Sequence, residues 1–361
     1  MKKIELKHSR GIYDILIGGN LISDLGSMIK RLDGFGINNL KCCIVSDDNV
    51  FDIYGGKVAD SLETAGFSVK NFIFRHGEEQ KTLTTVNDIY IFLCENNFNR
   101  NDFLIALGGG VVGDITGFAA ATYLRGIKFI QVATTLLAQV DSSVGGKTGV
   151  DLPLGKNLVG AFHQPSLVVC DTDTLKTLPE IIYADGMGEV IKHGCIANRD
   201  LFYALKNKSV NQTDMIYENI KIKAEIVSND EQETKGDRIK LNFGHTLGHA
   251  IEKYYNFSGI THGCTVSIGM IYAAKISYLL GLCDYDVIKE IKEILDIYKL
   301  PSGIETDIDI YKLAKYCTAD KKSESSGIQF VLLTEIGRCT VQKIYIEDLH
   351  GLLCKCNEIE V

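Results

Sequence analysis

The chain has 361 residues, of which 45% are hydrophobic and 23% are charged, and its formal net charge at pH 7 is -8. This composition suffices for one large core or two moderate ones, which excludes a disulfide mini-protein and a disordered chain. The acidic balance argues against nucleic acid as a partner, and no stretch reaches the roughly 18 apolar residues of a membrane span, so the sequence predicts a cytoplasmic protein with no membrane partner.

The first half of the chain alternates short β-rich runs with helical patterns. The runs cover residues 42–46, 69–74, 103–107, 129–132 and 167–170. The segments between them are long enough for crossover helices, so the pattern predicts a mostly parallel sheet with helices on both faces. Such sheets bind ligands beyond the carboxyl ends of their strands.

The second half is predicted to be mainly helical. From about residue 179 the apolar residues recur with the period of an α-helix, as at Ile220, Ala224 and Val227. Two β-rich runs within 327–345 predict one late hairpin. We expect two domains, 1–179 and 180–361, with the functional site in the cleft between them.

Eleven cysteines are scattered along the chain. Their number is odd, and most lie in apolar runs, as Cys94, Cys170 and Cys283 do. This pattern predicts reduced thiols in the core instead of disulfides.

A glycine-rich turn follows the third β-rich run. Residues 108–114 read GGGVVGD and precede a predicted helix, which satisfies G-x-G-x-x-G in the context where backbone N–H groups hold a pyrophosphate. A tight structural turn would also explain the glycines. The acidic residue that a Rossmann fold places about 20 positions later is missing. Asp47 and the polar loop 76–81 are other candidates for the nucleotide, although a turn and a helix start explain them equally well.

A second polar region, 133–149, crowds hydroxyl groups, Asp141, a glycine pair and Lys147 together. Asp141 stands where a P-loop requires its first glycine, which disfavours an ATPase. Lys156 and Asn157 follow shortly afterwards. Two lysines and an amide predict an anionic ligand, and solvated surface lysines are the alternative.

Histidines cluster in the second half. Four of the chain's eight histidines, His193, His245, His249 and His262, lie in glycine-rich and otherwise apolar segments, and Glu189 precedes His193 by one helical turn. One carboxylate and several imidazoles suit Zn²⁺ with an open coordination position, provided that folding joins them. The spacing does not decide which histidines are ligands, and structural histidines are the alternative.

Together these motifs resemble those of the 3-dehydroquinate synthase family, from about residue 40 to the C-terminus. The segments that carry the resemblance occur in the family's order: 108–114 (GGGVVGD), 120–126 (AATYLRG), 140–147 (VDSSVGGK), 155–157 (GKN), 189–192 (EVIK), 223–225 (KAE), 241–246 (LNFGHT), 248–250 (GHA) and 262–263 (HG). The resemblance implies an NAD-binding α/β domain at 1–179, a mainly α-helical metal- and substrate-binding domain at 180–361, and a homodimer.

The resemblance also implies the ligands of each site residue. Zn²⁺ or Co²⁺ would be bound by Glu189, His245 and His262. The implied NAD contacts are Asp47, Glu78, Lys81, Gly109, Gly110, Val111, Val112, Gly113, Asp114, Thr134, Thr135, Lys147, Lys156, Thr174, Leu175, Lys176 and Thr177. The substrate phosphate would be bound by Lys147, Asn157, His249, one of Lys321 or Lys322, and Arg125 of a second subunit. The substrate carboxylate would be bound by Lys223 and Arg238. The hydroxyl groups would be bound by Asp141, Lys192 and Asn242.

The implied reaction converts 3-deoxy-D-arabino-heptulosonate 7-phosphate into 3-dehydroquinate and phosphate, the second step of the shikimate pathway. It would proceed by transient oxidation by NAD, β-elimination of phosphate, re-reduction, ring opening and aldol closure. The chain departs from the family at Ala133, where proline is common, and by an extra residue near Lys235. A metal-dependent polyol dehydrogenase that releases NADH and a non-catalytic NAD-binding protein are the alternatives.

Overall fold

The β-rich runs of the first half form the centre of one sheet in the computed structural model, which describes residues 1–36, 39–304, 308–319 and 327–360. The chain divides into two compact units, Met1–Pro179 and Glu180–Val361. No helix of the described residues is long and apolar enough to cross a membrane.

The sheet of the first unit is mostly parallel, as predicted. The strands of this unit are β1 (Lys2–His8), β2 (Gly11–Gly18), β3 (Lys41–Asp47), β4 (Ser68–Phe74), β5 (Phe103–Gly108), β6 (Lys128–Ala133), β7 (Lys147–Leu152), β8 (Gly155–Phe162) and β9 (Leu167–Asp171). Seven of them pair in the order β1-β2-β9-β6-β5-β3-β4. Only the β1–β2 pair of this sheet is antiparallel. Each predicted strand is found to within one residue at either end.

Helices cover both faces of this sheet. They are α1 (Leu25–Lys30), α2 (Asp48–Val50), α3 (Gly56–Thr64), α4 (Leu83–Glu95) and α5 (Gly110–Thr122), with 3₁₀ turns at Ile22–Asp24, Glu78–Gln80, Tyr123–Arg125 and Thr172–Thr177 and π-helical turns at Phe51–Gly55 and Ala138–Ser142. Alternate side chains of β5 face opposite sides: Ile105 packs in one core cluster with α1 and α3, and Leu104 in another with α4 and α5. This alternation buries the central strands completely.

Two pairs of strands were not predicted. β1 and β2 form an antiparallel hairpin at one edge of the sheet. β7 and β8 form a separate hairpin that packs on α5. The alternating charged and apolar residues of Lys2–His8 carry a signal for β1, whereas glycines inside β7 and β8 hide the strand pattern because glycine is depleted in strands.

The second unit is mainly helical, as predicted. Its elements are α6 (Glu180–Ala197), α7 (Arg199–Lys206), α8 (Gln212–Asn229), a 3₁₀ turn (Arg238–Asn242), α9 (His245–Tyr254), α10 (His262–Leu279), α11 (Tyr285–Ile297), α12 (Ile310–Ala319), β10 (Gly327–Glu335), β11 (Arg338–Tyr345) and α13 (Ile346–Glu358). The predicted late hairpin is β10–β11. Helix α10 is central and packs against α6, α9, α11, α13 and β10.

All eleven cysteines lie in the described residues and are free thiols, as predicted. The expectation of a core position holds for Cys170, but it is wrong for Cys94, which is exposed at the end of α4, and for Cys283, which is only half-buried. Burial raises the pKa of the Cys43 thiol to about 12, so this thiol stays protonated at neutral pH.

Candidate active site

Most of the sequence-predicted NAD contacts lie along the edge of the sheet that is formed by the carboxyl ends of its parallel strands. They follow the carboxyl ends of five neighbouring parallel strands, which stand in the order β9-β6-β5-β3-β4. Residues 174–177 follow β9, Thr134 and Thr135 follow β6, 109–114 follow β5, Asp47 ends β3, and Glu78 and Lys81 follow β4. Because these strands run in the same direction, their carboxyl ends share one edge. Lys147 and Lys156 lie instead on the β7–β8 hairpin.

The glycine-rich turn opens directly into a helix at this edge. Gly109 is the N-cap residue of the 13-residue helix α5 and provides no side-chain cap. The amide of Thr134 donates to the carbonyl oxygen of Gly108 at 3.0 Å, which ties the ends of β5 and β6 together. The first N–H groups of a helix have no partner within the helix and attract anions. The turn can therefore hold a phosphate group.

Two side chains at this edge also have structural roles. Asp47 Oδ1 accepts a hydrogen bond from the amide of Val50 at 2.9 Å and so caps α2. The hydroxyl of Thr174 accepts from the Nε2 group of Gln139 at 3.1 Å. Asp47 therefore has the turn-forming role that was one of its two interpretations, and the contact of Asp47 with a nucleotide stays a prediction.

Gln139 was not predicted and joins two strand ends. It is fully buried, and its Nε2 group lies 3.0 Å from the carbonyl oxygen of Ala133 and 2.9 Å from that of Asp171. These two carbonyl groups end β6 and β9. A glutamine inside an apolar segment just after a strand end is the signal that indicates such a link.

Lys81 is a buried junction near the same edge. Its Nζ atom lies 2.7 Å from Asp114 Oδ2 and 2.6 Å from Asn157 Oδ1. Burial alone would lower the pKa of Lys81, but the carboxylates of Asp114 and Glu78 outweigh it and raise this pKa. Lys156 Nζ lies 3.7 Å from Glu78 Oε1. Lys81 thus contacts two other predicted site residues.

The remaining predicted residues of the first unit lie on turns and strand ends. Asp141 is half-buried in the π-helical turn Ala138–Ser142. Lys147 is exposed at the first position of β7. Arg125 is exposed and has a left-handed φ of 69° in the turn after α5.

The second unit brings one carboxylate and two imidazoles together. Glu189 lies in the middle of α6, His245 is the first residue of α9, and His262 is the first residue of α10. Glu189 Oε1 is 3.4 Å from His245 Nε2 and 3.7 Å from His262 Nε2. One ligand atom from each residue lies within 4.8 Å of the other two. This spacing suits a metal ion bound by all three.

Hydrogen bonds determine which nitrogen of each imidazole faces Glu189. His245 Nδ1 is 3.2 Å from the carbonyl oxygen of Phe243, and His262 Nδ1 is 2.9 Å from Glu252 Oε1. A carbonyl and a carboxylate only accept, so Nδ1 carries the hydrogen in both rings. Each ring, when neutral, then has its lone pair on Nε2, and this is the atom that faces Glu189.

His249, Glu252 and His262 form a second possible metal-binding group. The His262 nitrogen nearest Glu252 is Nδ1, and it would need a free lone pair to bind a metal ion in that group. Nδ1 instead carries a hydrogen and donates it to Glu252. The hydrogen bonding therefore favours Glu189, His245 and His262. His249 is exposed one helical turn after His245.

The charges around Glu189 suit a divalent cation. Burial would raise the pKa of this carboxyl, but the Lys192 ammonium and the two imidazoles hold it well below its ordinary value. Burial lowers the pKa of His245 to about 3. Burial also opposes the charge on His262, but Glu189 and Glu252 outweigh it and raise its pKa to about 10. Both carboxylate oxygens of Glu189 are buried without a hydrogen bond of good geometry, although Lys192 lies within ion-pair distance. Such a donor set fits Zn²⁺ or Co²⁺.

Two glycines allow α6 and α10 to approach closely beside the cluster. A Cβ atom on Gly263 would lie 1.9 Å from the carbonyl oxygen of Asp185, and one on Gly188 would lie 2.9 Å from Gly263 Cα. These glycines adjoin Glu189 and His262 in sequence. Their lack of side chains therefore permits the backbone approach that brings the two ligands together.

His193 lies one helical turn after Glu189 on α6, and one of its ring nitrogens is within 4.8 Å of a carboxylate oxygen of Glu189. It is fully buried, and its Nδ1 atom lies 2.9 Å from Asn219 Oδ1 of α8. His193 therefore links α6 to α8 and also lies beside Glu189, so the structural role and the proximity to the cluster are both present.

The other predicted substrate contacts of this unit occupy two segments. Arg238 is buried, donates from Nη1 to the carbonyl oxygen of Glu231 at 2.9 Å, and has Nε 3.5 Å from Glu233 Oε1. Asn242 is exposed at the end of the same 3₁₀ turn, and Lys223 is buried on α8. Lys321 and Lys322 lie outside the described residues.

Comparisons with known proteins give matches over most of the chain. The family model for the 3-dehydroquinate synthase N-terminal domain matches residues 71–184, and the model for the C-terminal domain matches 186–323. A 3-dehydroquinate synthase from Clostridium botulinum (strain Alaska E43 / Type E3) is 46% identical over 353 residues, which cover 96% of this chain and 99% of that protein.

Two solved structures have the same fold. One is a 2-deoxy-scyllo-inosose synthase in complex with carbaglucose-6-phosphate, NAD⁺ and Co²⁺, with a TM-score of 0.84, 26% identity, and coverage of 97% of this chain and 100% of that chain. The other is a 2-epi-5-epi-valiolone synthase from Streptomyces hygroscopicus subsp. jinggangensis 5008 with NAD⁺ and Zn²⁺ bound, with a TM-score of 0.86, 21% identity and coverage of 99% of each chain. The second likeness shows the fold alone. The predicted fold class is confirmed.

Proposed function

The chain belongs to the 3-dehydroquinate synthase family, and from this premise we propose that it converts 3-deoxy-D-arabino-heptulosonate 7-phosphate into 3-dehydroquinate and inorganic phosphate. The convergence of Glu189, His245 and His262 is the observation that carries the proposal. A non-catalytic NAD-binding protein would have no need for a buried carboxylate facing two imidazole nitrogens.

NAD and a divalent metal ion, Zn²⁺ or Co²⁺, are the cofactors of this enzyme. Bound NAD supplies reversible hydride transfer, and the bound metal ion supplies a Lewis acid for a substrate hydroxyl. The first unit is the NAD-binding domain, and the second holds the metal ion. The edge formed by five parallel strand ends supports the first assignment, and the Glu189 cluster supports the second.

Cationic and amide side chains hold the substrate phosphate. We assign this role to Lys147, Asn157 and His249, together with one of Lys321 or Lys322. Positive charges around a phosphate stabilise the negative charge that develops as it leaves. Lys147 is exposed and therefore accessible to an anion.

The carboxylate and hydroxyl groups of the substrate meet a second set of residues. Lys223 and Arg238 bind the carboxylate, and Asp141, Lys192 and Asn242 bind hydroxyl groups. A guanidinium forms two parallel hydrogen bonds with a carboxylate, which suits Arg238 for this role. In the structure its Nε atom forms an ion pair with a carboxylate of the chain itself, Glu233, at 3.5 Å.

The enzyme is a cytoplasmic homodimer in this proposal. Arg125 reaches the phosphate of the neighbouring subunit, and its exposure supports this role. Leu124 and Arg125 both have left-handed backbones, with φ values of 49° and 69°, which non-glycine residues adopt at a cost and often at functional sites. The eleven free thiols support a reducing compartment.

Release of inorganic phosphate from the heptulosonate phosphate tests the function. The enzyme is assayed with catalytic NAD and added Zn²⁺, beside a chelator-treated sample and the variant Lys147→Ala. Lys206→Ala is the control, because it removes an ion pair with the exposed Glu293 and neither residue is a predicted site residue. We expect chelator-sensitive phosphate release without net NADH, and strong loss only in Lys147→Ala. Stoichiometric NADH without phosphate would instead indicate the polyol dehydrogenase.

A further inference from the structure

Lys81 connects three segments of the first unit. Its own segment follows β4, Asp114 lies on α5, and Asn157 lies on β8. The Lys81 Nζ atom contacts the side chains of both partners, at 2.7 Å and 2.6 Å. The carbonyl oxygen of Lys81 also accepts from the amide of Asp151 at 2.8 Å.

The backbone of Asn157 is held by the same set of contacts. Its amide donates to Asp151 Oδ1 at 2.7 Å, so Asp151 links the main chains of Lys81 and Asn157. Asn157 has a left-handed φ of 56°, which asparagine tolerates better than most residues. The position of Asn157 therefore depends on Lys81 through both the main chain and the side chain.

The contact with Lys81 also determines which way the amide group of Asn157 points. An ammonium group has three donors and no acceptor, so the atom of Asn157 that it contacts must be the carbonyl oxygen. The NH₂ group is then the end of the amide that can donate to a ligand. Lys81 itself is only 5% exposed and has little surface for a ligand, whereas Asn157 is exposed.

We propose that Lys81 is a positioning residue that orients the amide of Asn157 so that its NH₂ group donates to the phosphate of the substrate. The inference rests on the proposed function, because it takes the ligand of Asn157 to be a phosphate. It gives Lys81 a role beside the NAD contact that the family resemblance implies. Without Lys81 the amide can rotate and present its oxygen, which repels a phosphate oxygen.

Binding of inorganic phosphate to the NAD- and Zn²⁺-loaded enzyme tests the inference without requiring turnover. Calorimetric titration compares the wild type with Lys81→Met, Asn157→Ala and the double variant. We expect each single variant to weaken phosphate binding about tenfold, the order expected for a charge-assisted hydrogen bond. The double variant should be no weaker than Asn157→Ala, because Lys81 acts through Asn157.

Asn157→Asp separates orientation from simple contact. The introduced carboxylate keeps an acceptor for Lys81 but replaces the NH₂ donor with an oxygen. Phosphate binding should therefore be weaker in Asn157→Asp than in Asn157→Ala. In turnover, Lys81→Met should raise KM and change kcat less, and Lys81→Arg should recover part of the loss because it restores a cationic donor.

Lys41→Met is the matched control. Lys41 Nζ donates to the carbonyl oxygens of Asn96 and Asn97, at the opposite end of β3 from the candidate site. Its loss should leave phosphate binding unchanged. Additive losses in the double variant, or equal binding by Asn157→Asp and Asn157→Ala, would each overturn the proposal. Absence of phosphate release by a wild type that still binds phosphate in this way would count against the proposed function alone.

Discussion

The two units build their candidate sites from different parts of the chain. The edge of the sheet in the first unit uses the ends of neighbouring strands and the N–H groups at the start of α5. The cluster in the second unit uses side chains from α6, α9 and α10. A substitution leaves the backbone N–H group of a residue in place, whereas it removes a ligand atom that no other residue of the cluster replaces. Single substitutions should therefore damage the cluster more than the sheet edge.

Glu189→Gln should have the largest effect, because it removes the only carboxylate among the three candidate ligands. We expect loss of bound metal and a decrease in phosphate release of about 10³-fold or more, since a metal Lewis acid contributes several kcal/mol to transition-state stabilisation. It also leaves buried Lys192 without its partner, which should lower the free energy of unfolding by about 3 kcal/mol.

Metal content by mass spectrometry and urea unfolding measure these two effects. Lys206→Met is the control for the ion pair, because its partner Glu293 is exposed and the expected loss is below about 1 kcal/mol. A Glu189→Gln enzyme that retained metal and full turnover would show that the cluster is not the metal site.

Gly263→Ala should destabilise the protein more than Gly110→Ala. A Cβ atom on Gly263 would lie 1.9 Å from a backbone oxygen, which cannot move without separating α6 from α10. On Gly110 it would lie 3.2 Å from the hydroxyl of Ser142, a side chain that can shift. We expect losses of about 3 kcal/mol and less than about 1 kcal/mol in urea unfolding. Equal losses would contradict the difference between the two regions.

The same difference explains what could be predicted from sequence. Strands such as β5 are local apolar runs bounded by turn residues, so their positions and the shared edge could be predicted. The residue types of the metal cluster could also be predicted, because a carboxylate and imidazoles are rare in apolar helices. The sequence could not predict which of His245 and His249 is the metal ligand. Both lie on one face of α9, and the distinction depends on a hydrogen bond between two helices, from His262 to Glu252.

Glu252→Gln tests that hydrogen bond. A neutral amide is a weaker acceptor for the N–H group of His262, and it lowers the basicity of the ring. We expect metal affinity to fall by about 10- to 100-fold, the usual effect of losing such a partner. Competition with a chromophoric chelator measures it. Glu290→Gln is the matched control, since Glu290 accepts from the Tyr203 hydroxyl at 2.6 Å in the same unit. Similar affinities in both variants would remove Glu252 from the metal site.

The pH dependence of metal binding should also distinguish the two regions. Its expected effect is the smallest of these predictions. The pKa of His262 is about 10 in the metal-free protein, above the 6.5 of an unperturbed imidazole. Protonation of His262 therefore stabilises the metal-free fold below about pH 6.5, and this contribution is lost as the pH rises through about 10.

A metal ion needs the neutral ring and must displace one proton, so its affinity should rise about tenfold per pH unit between about pH 7 and about pH 8.5. NAD affinity should change much less over this range, because backbone N–H groups do not titrate and the pKa of Lys81 is raised from 10.5. Chelator competition and NAD titration at the same pH values measure both slopes. A metal affinity independent of pH would mean that His262 is not a ligand, and parallel slopes for metal and NAD would mean that the two regions share one titrating group.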